Sequence, residues 1–575
     1  MAEVDIQTER IDDIPLLVAQ QHRMGLPEII DRVIEAHGNR QGLSIGWTVV
    51  GWLSFILSEA DHRLSFVEPW ATSRLSSLQN LLPGLEAASD FSDDRLGDVL
   101  RYLSDDVAWS QIEQQLGEHL VRAYQLPSEQ VRLDSTSAAV YHDPAEGSLF
   151  AYGVSKDHRP DLAQFKVMLG ALDPLGLPLA TLIVGGNRAD DSLYLPVWQQ
   201  VRTVLNRTGL LYIGDSKMEA LLTRATLAHE GDYYLTPLSL KGQQAELLNQ
   251  LLEPVWSKEQ TLTDVVDPDG DEDQPRLLAQ GYETSRSQTA VVKEQVVTWS
   301  ERVLVIYSPS WAQQGQQGLT KRLAHAEAKL RALTPPPGRG KHQWTELGPL
   351  QAEAEAILES HRVKGLLQVT YQRLESVRQR RKYKDRPAET EVKVRYELKI
   401  SRQETAVAEA QRHLGWRLYV TNAPTTDLSL AQAVLAYRGS PQIEHDFSRL
   451  KGRPLGLRPV YLKREDHLQG LVRLLTLALM VLTLVEFVVR RNLVAQPEPL
   501  VGLYPGNPTR ATARPTTERL LHAFQNVTLT LVQLPHQTIK HVTPLSPLQI
   551  RILTLLDLPI SIYTDLAVAS APIPP

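Results

Sequence analysis

The segment from Val131 to Asp215 restricts the fold more than any other part of the chain. VRLDSTSAAVYHD alternates apolar and polar residues as a half-buried strand does, and QFKVMLGALDPLGLPLATLIVGG is two apolar runs joined by the turn DPLG, which predicts a hairpin. SLYLPVWQQVRTVLNR has helical spacing, and GLLYIGD is a further strand that ends at Asp215. Strands followed by a helix and another strand predict an α/β sheet.

Two acids stand out in this segment. Asp134 interrupts an apolar strand pattern, where a bare carboxylate costs free energy unless it is paired or binds a cation. Asp215 closes its strand, and Gly214 before it leaves room for a close approach of backbone or ligand. Strand ends of this kind are where α/β sheets build sites. Taken singly, either aspartate reads more readily as a capping or turn residue.

The flanking sequence predicts the remaining architecture. Residues 1–125 read as a separate helical module, with helical spacing in LPEIIDRVIEAH and GWTVVGWLSFILSEA and a helix capped by Ser92 at FSDDRLGDVLRYL. Residues 126–240 form the first part of the sheet domain. Residues 241–415 are mixed in character and predict an insertion, with strand-like QTAVVKEQVVTWSERVLVIYS and a long helical stretch, LQAEAEAILESHRVKGLLQVTYQRLESV. Sheet character resumes at WRLYVTN, so residues 416–500 are the second part of the domain, and 501–575 form a tail after a linker rich in proline and threonine. No internal repeat is present.

Several function classes lose their support. The chain has no cysteine, which removes disulfides, zinc-thiolate sites, iron-sulfur clusters and a cysteine nucleophile, and which suits a reducing interior. The acidic start MAEVDIQTERIDDIP lacks the order of a signal peptide, and the apolar run LLTLALMVLTLV is shorter than the roughly 18 to 20 residues of a membrane span. That run predicts a buried helix, and the expected setting is cytoplasmic, with no membrane partner. GRGK at Gly338 lacks the spacing and the following Ser or Thr of a phosphate loop, and neither H-E-x-x-H nor G-x-S-x-G occurs. A net charge of -7 over 575 residues gives no global signal for nucleic acid, so any such surface is local. Two runs qualify: Arg373 to Arg386, with seven Lys or Arg against two acids, and Lys451 to Arg464, with five basic residues and no acid. A solvated charged face is the other reading of both.

In YRGSPQIEHDFSRLKG, Glu444 stands seven residues after Tyr437 and seven before Lys451. Pro441 suits a first helical turn with Ser440 as cap, so Tyr437 belongs to the preceding turn or helix. Ile443, Phe447 and Leu450 mark the buried face, and Glu444, Ser448 and Lys451 run along its boundary. A surface stripe supported by salt bridges satisfies the same spacing.

Together, LDSTS, YIGDSK and Y-x6-E-x6-K resemble the catalytic motifs of DDE transposases of bacterial insertion sequences, in the group with a Y-x2-R-x3-E-x6-K signature. The resemblance covers nearly the whole chain and implies a ribonuclease H-like catalytic domain, interrupted by the mixed insertion and preceded by the helical module, which would take part in recognising DNA ends. It implies that Asp134, Asp215 and Glu444 are catalytic and hold two Mg2+ ions about 3.5–4 Å apart, with Mn2+ as a substitute, for in-line phosphoryl substitution. Tyr437 and Lys451 would contact phosphates of the transposon ends. Ser440 stands where the signature has arginine, and Arg438 or Arg449 could supply the missing contact. The implied partners are terminal inverted repeats and target DNA, met by a homodimer at the bacterial nucleoid. An inactive DNA-binding descendant and a metal nuclease without strand transfer remain open alternatives.

Overall fold

In the computed structural model, which describes residues 5–35, 41–268, 270, 276–380, 389–439, 441–496, 498–534 and 537–567, the alternating segments pair into one large sheet. In chain order the strands are β1 (Asp5–Arg10), β2 (Gln130–Ala139), β3 (Gln164–Leu172), β4 (Leu177–Gly185), β5 (Leu211–Gly214), β6 (Tyr233–Pro237), β7 (Thr263–Val266), β8 (Leu277–Val292), β9 (Gln295–Tyr307), β10 (Leu367–Arg380), β11 (Glu389–Arg402), β12 (Trp416–Thr421), β13 (Leu500–Val501), β14 (Ala511–Thr512), β15 (Thr528–Leu534) and β16 (Gln537–Val542). Among the described residues, nine of them form a sheet in the order β4-β3-β2-β5-β6-β12-β9-β8-β7. β2, β3 and β4 are antiparallel neighbours, as the DPLG turn predicts, whereas β2, β5 and β6 run parallel. The helix Tyr194–Leu205 provides the crossover between β4 and β5.

The sheet extends further into the chain than the sequence suggests. β7, β8 and β9 fall inside the expected insertion, yet β9 pairs with β12 and carries β8 and β7 with it onto the same sheet. What leaves the sheet begins after Tyr307. The helices Pro309–Leu333, Leu347–Ser360 and Glu404–Arg412 pack with the base of the β10–β11 ribbon around their own core of Leu319, Leu323, Leu330, Ile357 and Val407. The long helix expected from Leu350 to Val377 is therefore two elements. It ends at Ser360, and the β-branched and aromatic residues of LQVTYQ start β10.

The first 125 residues are largely helical, but they are not separate. β1 pairs with β15, and helices from Ile14–Arg23 to Asp106–Tyr124 share one continuous core with β2–β4 and with the tail helices Thr517–His522 and Pro547–Leu555. Ser92 stands at the expected helix start, but its side chain makes no capping hydrogen bond; its carbonyl accepts from Leu96 instead.

The centre of that core is the helix Glu465–Val494, which contains the apolar run. Its length and composition alone would let it cross a membrane, but 94% of its apolar window is buried inside the protein. It lies against the helix Asp93–Ser104, and a Cβ on Gly470 would fall 2.0 Å from the Leu100 carbonyl oxygen. Glycine is required by that close approach.

Candidate active site

The register of the parallel strands brings the two aspartates together. Leu133 of β2 pairs with Gly214 of β5, so the next residue on each strand, Asp134 and Asp215, sits at the same level of neighbouring strands. Strand spacing in sheets is roughly 4.8 Å. On its other side β2 turns to its antiparallel partner β3, so the connections depart in opposite directions at this point, the kind of position where α/β sheets bind ligands.

Glu444 reaches the same neighbourhood from the helix Pro441–Lys451. That helix begins at Pro441, as expected, and buries Ile443, Phe447 and Leu450 while Glu444 and Ser448 stay exposed. Ser440, the expected cap and the position of the missing arginine, lies outside the described residues. Tyr437 lies in the last turn of the preceding helix, Leu430–Arg438, and packs on Tyr419 with ring centroids 4.6 Å apart.

The electrostatics tie these groups together. Burial pushes the Asp134 carboxyl up to about 6; Lys156 works against that rise, while the charges of Asp215 and then Glu444 add to it. Burial first and Asp215 second push the Tyr437 phenol up to about 12. Tyr194, raised by burial and by the charge of Asp215, keeps its proton and donates to Asp215 Oδ1 at 2.6 Å. The Lys217 amide donates to the same oxygen at 2.8 Å. The room expected beside Gly214 is already filled, since a Cβ there would meet Met218 Sδ at 2.5 Å and Tyr194 Cε1 at 2.8 Å.

Three neighbours of the carboxylates carried no signal in the sequence. Lys156 Nζ lies 3.7 Å from Asp134 Oδ1 and 3.6 Å from Asp190 Oδ2, and donates to the Ser135 carbonyl at 2.6 Å. Asp190 is held below the ordinary aspartate range despite its burial, by Lys166 and Lys156. Tyr194 is the third. All three arrive from loops or helices distant from the motifs, so only the polarity of SKD near the strand could have hinted at Lys156.

The expected phosphate contacts separate. Lys451 Nζ pairs with Asp157 at 2.9 Å rather than with Glu444, which removes the salt-bridged stripe as an explanation of the spacing. Arg458 joins the same aspartate at 2.9 Å. Arg449 is 2% exposed and is held by Glu486 at 2.5 Å and Glu518 at 2.7 Å. Buried and doubly paired on the far side of the helix, it cannot replace the signature arginine. Arg438 donates to the Leu278 carbonyl at 2.7 Å and to Ser308 Oγ at 2.8 Å, so its guanidinium is directed at the edge of the sheet.

Asp134, Asp215 and Glu444 offer only oxygen donors, and their mutual repulsion is the condition that a divalent cation relieves. Their chemistry fits such an ion. Among the described residues, however, no three His, Asp or Glu side chains are close enough to hold one metal together. Asp134 and Asp215 sit at the same level of neighbouring strands, and Glu444 is exposed on its helix.

A family model described as a transposase DDE domain matches residues 127–481. That range begins just before β2 and ends inside the helix Glu465–Val494, so it contains all three acids. No curated protein matches the chain.

Proposed function

We propose, for a chain that belongs to the transposase DDE-domain family, that Asp134, Asp215 and Glu444 form the catalytic centre of a DNA transposase that cleaves element ends and joins them to target DNA. The observation that carries the reading is the register of β2 and β5, which sets Asp134 and Asp215 level on neighbouring strands, with the charge of Glu444 felt at Asp134 from a third element. The sheet order β4-β3-β2-β5-β6, with three antiparallel strands followed by two parallel ones, supports a ribonuclease H-like arrangement.

The residues divide the work. Asp134 and Asp215, with Glu444 drawn in, are the groups that would hold two Mg2+ ions. When bound, such ions activate the attacking oxygen and stabilise the leaving oxygen of an in-line substitution. Tyr194 and the Lys217 amide fix the Asp215 carboxylate by hydrogen bonds to one of its oxygens. Lys156 supplies a positive charge beside Asp134 that could turn to a substrate phosphate. Lys451 and Tyr437 lie on either side of Glu444 in the chain and are assigned contacts to the DNA backbone.

The β10–β11 ribbon stands apart from the sheet, and a two-stranded ribbon is narrow enough for a major groove. We assign it, with the basic run from Arg373, a contact along bound DNA; the part of that run from 381 to 386 lies outside the described residues. The helices before Tyr124 are assigned to recognition of the terminal repeats. Synapsis of two ends calls for a homodimer on DNA in the cytoplasm.

The test supplies precut ends, a supercoiled target and Mg2+ to the wild-type chain and to Asp134→Asn, Asp215→Asn and Glu444→Gln. Joined products support transposition, and cut products alone indicate a nuclease. Binding without reaction marks an inactive descendant. A folded variant that retains full cleavage removes that position from the centre.

A further inference from the structure

Tyr141 and Tyr461 lie ring to ring, 5.6 Å between centroids at 37°, and remain 47% and 67% exposed. Their backbone is held firmly. Val140 and Val460, both buried, bridge the two segments; the Tyr141 amide donates to the Val460 carbonyl at 3.2 Å, and the His142 ring lies 2.9 Å from the Leu462 carbonyl. Two large rings are thus fixed facing water on a rigid support.

A row of cations leads from the carboxylates to these rings. Lys156 stands by Asp134, the next residue Asp157 gathers Lys451 and Arg458, and Arg159 lies beside the Tyr141 side chain. Tyr461 itself belongs to the acid-free run Lys451 to Arg464. Tyr141 lies seven positions after Asp134, a span of at most roughly 23 Å at ~3.3 Å per residue. A nucleic acid strand covers that in about seven steps at ~3.4 Å each.

Cations for the backbone and aromatic faces for the bases are the two parts of a single-strand binding track. Paired bases offer only their edges, so ring faces of this kind select bases that are unpaired. We propose that Tyr141 and Tyr461 form a stacking platform for unpaired bases of a DNA strand leaving the carboxylate site, with Lys451, Arg458 and Arg159 contacting its phosphates. The proposal rests on the transposase reading and adds a preference for DNA with a single-stranded portion.

The test measures fluorescence anisotropy of labelled DNA in EDTA, where cleavage cannot interfere, using a blunt duplex and the same duplex with a single-stranded tail of about ten nucleotides. The wild-type chain should favour the tailed probe. The pair Tyr141→Ala and Tyr461→Ala should lose about ten-fold or more on the tailed probe and little on the blunt one, whereas Tyr141→Phe with Tyr461→Phe should keep the preference. Equal wild-type affinity for both probes, an alanine pair that binds like wild type, or a phenylalanine pair that fails like alanine overturns the platform while DNA binding stands. A shift in mass by light scattering with tailed binding unchanged would make the rings a contact between copies. Binding of neither probe by the wild-type chain would overturn the transposase reading as well.

Discussion

Two groups of acids in the same sheet are treated in opposite ways. Glu301 on β9 is fully buried and surrounded by donors: Arg224, Arg286 at 2.6 Å, Tyr234 at 2.5 Å and Gln288 at 3.1 Å. Burial works against its charge, but Arg224 and then Tyr234 hold it below the ordinary glutamate range. At Asp134 the balance is reversed: burial raises the group to about 6, the charges of Asp215 and Glu444 add to the rise, and the one lysine beside it, at 3.7 Å, does not cancel them. Where an acid serves the fold, the chain supplies its counter-charges; at the site it leaves them short, and a cation from solution can make up the difference.

The largest expected effect separates the two groups by what is lost. Asp134→Asn or Asp215→Asn should lower cleavage by about 10³-fold or more, as expected when several kcal/mol of metal-borne stabilisation disappear, while urea unfolding without metal shows equal or greater stability. Glu301→Gln should do the reverse. Leaving the buried Arg224 without its counter-ion should destabilise the fold by about 3–5 kcal/mol in the same unfolding experiment. Equal behaviour of the two substitutions would break the comparison.

Acidity distinguishes the groups next. The folded Asp134 binds its proton more tightly than the unfolded chain does, so its contribution to stability is present below about pH 4 and is lost as pH rises to about 6. The loss is on the order of 3 kcal/mol without divalent ions, and Asp134→Asn should flatten it. Glu301 has the opposite sign: its contribution is present above the unfolded glutamate value and is lost as pH falls through the lower folded one. Thermal melts across pH, with each variant, read both slopes.

The smallest effect compares neighbours on one helix. Lys451→Ala should reduce the salt slope of DNA binding by about 1, whereas Arg449→Ala, which frees Glu486 and Glu518 in the interior, should cost stability and leave the slope unchanged. A changed slope in the arginine variant would place Arg449 on the DNA after all.

That contrast also shows what the sequence could reveal. The positions of Asp134 and Asp215 at strands and of Glu444 early in a helix were readable from local patterns, whereas their grouping rested on the motif resemblance. Lys451 and Arg449 differ by two positions, so helical geometry puts them on different faces, but only the fold reveals that one of those faces meets Glu486 and Glu518. Lys156, Tyr194 and Asp190 were not readable because tertiary packing alone brings them to the carboxylates. The strand-like run from Gln288 to Ser308 marked the end of β8 and β9 without naming their partner, and β7 carried no strand signal of its own, so the place of all three beyond β12 went unseen. The same reason hid the pairing of β1, whose partner lies at the opposite end of the chain.

The pairing of β1 with β15 sets the order in which a newly made chain can finish folding. Arg10 meets Thr528, so β1 must wait for about 520 further residues to be translated, roughly half a minute to two minutes at ~5–20 residues per second. Until then the amino-terminal helices hold an open apolar face next to an incomplete core. Synthesis of β15 is therefore the step that lets β1 pair and the shared core close.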